Sequence, residues 1–171
     1  MRENNLINQA LAKLIMNDVD DFLISSEDVA SVYQEHSLIT ALMILTNRKY
    51  STIPVLNNKD QLVGLINLRV IVNEALKNQN FDLLVLNDIQ VKDIELVKPI
   101  MIHRNSSFEY ILSQLVTDNF LCLVDENQTF QGIVTRRNLL SRLNHLLHSK
   151  DLTLTDQQIE KIKKTASQLA D

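Results

Sequence analysis

The apolar positions fall into two series of the same form. Leu38, Ala41, Leu42 and Leu45 stand at i, i+3, i+4 and i+7, and Phe108, Ile111, Leu112 and Leu115 repeat that spacing. Each series predicts an amphipathic helix. Ser37 is placed to cap the first helix, and Ser106 or Ser107 the second. A short extended segment precedes each helix, near 31–34 and near 99–103. Two short apolar strands joined by a polar turn follow it. In the first series these are Ile53-Pro54-Val55-Leu56-Asn57, the turn Asn58-Lys59-Asp60-Gln61 and the strand from Leu62. In the second they are Leu121-Cys122-Leu123-Val124-Asp125, the turn Glu126-Asn127-Gln128-Thr129 and the strand from Phe130. A further helix then starts, from Leu68 to about Lys77 and from Arg136 to about His148. The predicted unit is strand–helix–strand–strand–helix, written twice.

The chain's two glycines, Gly64 and Gly132, lie 68 residues apart in the matching patterns Leu62-Val63-Gly64-Leu65-Ile66-Asn67 and Phe130-Gln131-Gly132-Ile133-Val134-Thr135. An internal duplication accounts for this. The register holds at 68 through the strands and slips by about two residues further upstream, where Ser37-Leu38 falls near Ser107-Phe108. One copy is too small to bury its own apolar faces, so the two are expected to pack together. The expected fold class is α/β (α+β), a pseudo-symmetric pair with an extra helix at each end. The divisions are an N-terminal helix over 1–21, a first motif over 22–78, a linker over 79–90, a second motif over 91–149 and a C-terminal helix over 150–171. The end helices rest on Leu6, Ile7, Leu11, Leu14 and Ile15, and on Ile159, Ile162, Ala166 and Leu169. Thr155 and Gln158 offer a capping box for the latter. The linker is read as a short helix or an ordered crossover.

Composition narrows the function classes. The chain has 171 residues, 45% of them apolar, and a formal net charge of −4, so it carries no basic footprint for nucleic acid. One cysteine, Cys122, rules out an intrachain disulfide and fits a reducing compartment. No apolar run approaches the roughly 18 residues of a membrane span. Met1-Arg2-Glu3-Asn4-Asn5 lacks the apolar core of a signal peptide. A cytoplasmic protein that touches neither membrane nor nucleic acid is expected.

Thr135-Arg136-Arg137 is the most informative chemistry. It stands where a strand gives way to a helix, and the unpaired N–H groups of a helix start favour an anion. Two arginines there are unfavourable for an isolated helix, yet their planar forks match phosphate. The alternative is that both pair with surface carboxylates such as Asp125 or Glu126. The first copy has Asn67-Leu68-Arg69 at this point, with one arginine and no threonine. Tyr50-Ser51-Thr52 offers a ring to stack on a base and hydroxyls to bond it, or else a core tyrosine at a helix end. His145 and His148 share a helical face without a carboxylate or thiol to complete a metal set. His36 and His103 occupy similar places in the two copies. Cys122 replaces the proline of the first copy in an apolar strand and reads as a small buried hydrophobe. No G-x-S-x-G, phosphate-loop or H-E-x-x-H motif is present, so neither an enzyme, a metal nor a cofactor is expected.

The repeated unit, with Ile53-Pro54-Val55-Leu56-Asn57 and then Gly64-Leu65-Ile66-Asn67 or Gly132-Ile133-Val134-Thr135 opening a helix, resembles the CBS motif. Two in tandem form the pair called a Bateman module, and the resemblance spans roughly 22–148. It implies adenosine-containing ligands held between the copies, and a homodimer. Phe22-Leu23-Ile24 with Val29-Ala30, then Tyr50-Ser51-Thr52, then Thr135-Arg136-Arg137, is similar to the stand-alone CBS proteins of Gram-positive bacteria that bind cyclic di-AMP. That likeness implies a ligand set of Ala30, Tyr50, Ser51, Thr52, Thr135, Arg136 and Arg137, with both arginines on phosphate. It also implies a protein partner, the (p)ppGpp synthetase/hydrolase, released when the ligand binds. Asp28 stands where those proteins tend to carry a basic residue. Asn138 and Val70 stand where the general CBS pattern has a ribose-binding Asp. A doubly charged cyclic dinucleotide therefore suits the chain better than AMP or ATP. An AMP/ATP energy sensor and a ligand-free dimeric docking module are the alternatives.

Overall fold

The computed structural model describes residues 19–48, 50–77 and 83–148. The two expected end helices, over 1–21 and 150–171, lie almost wholly outside these. Both copies of the unit are present, so the fold is the mixed α/β pair the periodicity predicts. In the first copy, β2 (Val32–Tyr33) leads to α1 (Leu38–Arg48), β3 (Thr52–Leu56), β4 (Leu62–Asn67) and α2 (Leu68–Leu76). In the second, β5 (Met101–Ile102) leads to α3 (Phe108–Thr117), β6 (Phe120–Val124), β7 (Phe130–Thr135) and α4 (Arg136–His148). Between them, from residue 83 on, the chain forms 3-10 turns at Leu84–Asn87 and Val91–Asp93.

Short polar side chains start three of the helices. Asn67 accepts the Val70 amide at 3.0 Å, Ser107 the Tyr110 amide at 3.2 Å and Thr135 the Asn138 amide at 3.0 Å. Each satisfies one of the amides left open in a first turn. Ser37, expected to cap α1, instead turns its hydroxyl to that of Thr40, 3.1 Å away. Ser106 accepts the His103 amide, which leaves the capping to Ser107.

One strand was not predicted. β1 (Leu23–Ser25) stands at the start of the first copy yet runs antiparallel to β7 of the second, with Leu23 opposite Val134 and Ser25 opposite Gly132. The sheet order is therefore β1-β7-β6-β5 in one sheet and β2-β3-β4 in the other. The exchange is reciprocal, since Val97, at the start of the second copy, pairs with Leu65 of β4 through hydrogen bonds of 2.8 and 2.9 Å. The glycines are explained by these crossings. A Cβ on Gly132 would lie 2.1 Å from the Ile24 carbonyl oxygen, and φ there is +146°. A Cβ on Gly64 would lie 2.7 Å from Cβ of Leu96.

The two turns meet on a pseudo-twofold axis. Gln61 bridges Thr129, the Leu62 amide donates to the Gln128 carbonyl at 3.0 Å, and the Phe130 amide donates to the Asp60 carbonyl at 2.8 Å. Asp60 and Gln128 hold equivalent left-handed conformations, with φ of 57° and 65°. Each half has its own core. Leu38, Ala41 and Leu45 pack on Ile53, Ile66 and Ile71, while Ile111 and Leu115 pack on Leu121, Leu123 and Val134. Phe22 is buried in the second core although it opens the first copy, and Leu86 of the crossover is buried in the first. A third cluster of Leu56, Leu62, Cys122, Val124 and Phe130 forms the seam between the halves.

Candidate functional site

β7 delivers Thr135 opposite Phe120, and α4 starts at the next residue. Accepting the Asn138 amide leaves the Thr135 hydroxyl free to donate a bond of its own. The two arginines beside it part company. The guanidinium of Arg136 turns toward the end of α3, where Nε donates to the Leu115 carbonyl at 2.7 Å. Its Nη2 donates to the carbonyls of Val116 and Asp118 at 3.1 and 3.0 Å. A cation on the open carbonyls of a helix C-terminus is favoured by bonding and by the helix dipole. Arg137 is exposed and has no ion pair or side-chain hydrogen bond among the described residues.

Neither arginine pairs with Asp125 or Glu126. Asp125 serves its own turn, accepting the amides of Thr129 and Asn127, each at 2.8 Å. The Thr129 amide is the main influence holding its carboxyl below the usual aspartate range. The carboxylate-pairing alternative for the arginines is thus not the arrangement found.

Tyr50 is 44% exposed, so it is not a core tyrosine. Its amide donates to the Leu45 carbonyl at 3.0 Å and closes α1. Ser51 is exposed and half-buried Thr52 opens β3 opposite Asn67. The side-chain hydroxyls of all three make no hydrogen bond among the described residues. Ala30 packs against the first core, and its neighbour Val29 packs on the seam with Phe120 and Ile133. Phe120 faces Thr135 across the β6–β7 ladder. No hydrogen bond links Tyr50, Ser51 or Thr52 to Thr135, Arg136 or Arg137 among the described residues. The arrangement can offer a stacking ring, unpaired hydroxyls and one unpaired guanidinium beside a helix start.

The remaining candidates are chemically quiet. Burial pushes the Cys122 thiol up to about 12, so it stays protonated near neutrality. His36 lies edge-on to Tyr33, with ring centroids 5.7 Å apart. No group of three His, Cys, Asp or Glu among the described residues could hold a metal ion. No described helix is long and apolar enough to cross a membrane. What sequence reasoning missed is the role of Arg136 on α3. The two-residue slip between the copies was the available signal, because it falls at the helix end that Arg136 closes.

The profile of the CBS domain matches the chain twice, over residues 19–77 and 91–145. The chain belongs to the CBS-domain family. Among other CBS proteins it is 31% identical over 137 residues to cyclic di-AMP receptor B of Bacillus subtilis (strain 168), covering 80% of this chain and 93% of that protein. The crystal structure of the CBS protein CbpB of Listeria monocytogenes in complex with c-di-AMP is 36% identical. It superposes with a TM-score of 0.69 over 76% of this chain and 97% of that one. A further structure of CbpB with c-di-AMP is 26% identical, with a TM-score of 0.73 over 83% of this chain and 94% of that one. The family and the fold are therefore those the repeated unit led to, and relatives of this CBS pair include cyclic di-AMP receptors.

Proposed function

We propose that the protein is a receptor for cyclic di-AMP that binds it between its two halves and thereby alters its hold on a partner protein. The observation that carries this reading is the unpaired polar chemistry on elements of both copies. Tyr50, Ser51 and Thr52 bring a ring and free hydroxyls, and Thr135 and Arg137 bring a hydroxyl and a free guanidinium. A ring suits an adenine face, and a guanidinium suits a phosphodiester. Ala30, a small side chain, packs against the first core beside Val29 of the seam. Arg136 flanks the same turn. Relatives that bind cyclic di-AMP cover nearly their whole length with this chain, which supports the same ligand here. Binding across two halves gives the ligand a different affinity for two arrangements of them, as any switch requires. The partner in this reading is a (p)ppGpp synthetase/hydrolase, and the receptor acts as a homodimer in the cytoplasm without catalysing a reaction.

Calorimetric titration with cyclic di-AMP, AMP, ATP and cyclic di-GMP tests this. Binding of cyclic di-AMP at micromolar affinity or better, about −8 kcal/mol, with weaker signals from the others, is the expected result. A preference for AMP or ATP would make the protein an energy sensor instead. No heat with any of the four would leave a docking module.

A further inference from the structure

We infer that Arg136 is a positioning residue that closes the C-terminus of α3, and that Arg137 is the cation that meets the ligand phosphate. This rests on the receptor reading above and refines the division of labour within its site.

The two copies differ at the turn between the first helix and the following strand. Leu45 and Leu115 are equivalent last buried residues of α1 and α3. Thr52 starts β3 seven residues after Leu45, whereas Phe120 starts β6 only five after Leu115. The longer turn of the first copy brings the Tyr50 amide back onto the Leu45 carbonyl at 3.0 Å. In the shorter turn of the second copy, the Leu115 carbonyl receives Nε of Arg136 at 2.7 Å. A side chain thus does in one copy what two extra backbone residues do in the other. Leu68, at the place equivalent to Arg136, stands in the copy whose helix end is already closed. Arg69, equivalent to Arg137, faces solvent as Arg137 does.

The donor count leads to the same assignment. A guanidinium has five N–H groups. Nε and Nη2 of Arg136 supply three bonds to carbonyls. Both two-donor edges of the fork include Nη2, so neither is left intact for a phosphate. Arg136 also gives its own amide to the Asn119 carbonyl at 2.9 Å. The end of α3, the start of β6 and the first residue of α4 are pinned together, which fixes where Arg137 stands.

Thermal unfolding and cyclic di-AMP titration of three variants test the assignment. Arg137→Ala is expected to lose at least about 10-fold in affinity with its melting temperature unchanged. Arg136→Ala is expected to melt about 3–6 °C lower even without ligand, and to bind more weakly. Lengthening the α3–β6 turn by two residues in the Arg136→Ala background should restore both stability and affinity, because a backbone amide then replaces the side chain. If that variant does not fold, Arg136→Lys serves, since it keeps the charge and loses the fork. It should then behave like Arg136→Ala. Full affinity in Arg136→Lys, or lost affinity with unchanged melting in Arg136→Ala, would overturn the inference. Arg137→Ala binding as tightly as a parent that does bind cyclic di-AMP would overturn it too, whereas an unsubstituted protein that binds no cyclic di-AMP would end the receptor reading instead. The ligand-free melting of Arg136→Ala still decides the capping role.

Discussion

Gly132 has no room for a side chain. A Cβ there meets a backbone carbonyl at 2.1 Å, and the φ of +146° is one that L side chains rarely adopt. Gly64, its counterpart, meets Cβ of Leu96 at 2.7 Å without a positive φ. The two positions look alike in sequence and differ in physics. Gly132→Ala forces strained backbone and overpacking together, for a loss of about 2–5 kcal/mol. Gly64→Ala carries the overpacking alone, at about 1–3 kcal/mol. Urea denaturation of both is expected to rank Gly132→Ala as the more damaging. Equal losses would mean that backbone conformation contributes nothing at residue 132.

At the scale of elements, the helix starts separate structural from ligand roles. Asn67 and Thr135 cap α2 and α4 through the same bond, each at 3.0 Å. Asn67→Ala and Thr135→Ala are each expected to cost about 1 kcal/mol in denaturant titration. Only Thr135→Ala should also weaken cyclic di-AMP binding, and Thr135→Ser should restore both properties. If Asn67→Ala weakens binding as much, the site is not confined to the Thr135 turn. The elements themselves were legible because apolar spacing sets which face of each helix is buried. Leu38, Ala41 and Leu45, read from the 3.6 period, are all fully buried. β1 was not legible. Its three residues are too few for an alternating pattern, and its partner lies more than a hundred residues away. The site was half legible. The exposed chemistry of Tyr50 and Arg137 can be read from residue type, but the bonds of Arg136 depend on where the end of α3 falls in space. Spacing along α4 says nothing of that.

For the molecule as a whole, the question is whether the two halves unfold as one. Each half has a separate core, which by itself would permit two transitions. Three features couple them. β1 and Phe22 belong to the first copy in sequence and to the second in space. Val97 and Val91, of the second copy, make the reverse crossing. The seam of Leu56, Leu62, Cys122, Val124 and Phe130 is buried only while both sheets are in place. Unfolding one half would strip the other of a strand or strand bridge, a buried core residue and the seam, so neither half is expected to stand alone. Leu45→Ala in the first core and Leu121→Ala in the second each remove a fully buried side chain, at about 2–5 kcal/mol. For a chain of this size that corresponds to a melting temperature lower by about 5–15 °C. Scanning calorimetry should show a single transition for both variants, shifted as a unit, with equal calorimetric and van't Hoff enthalpies per cooperative unit. A peak that splits, with only the substituted half moving, would show that the exchanged strands do not bind the halves into one cooperative body. A ligand lodged between the halves would then have to act by joining them, not by shifting a pair already joined.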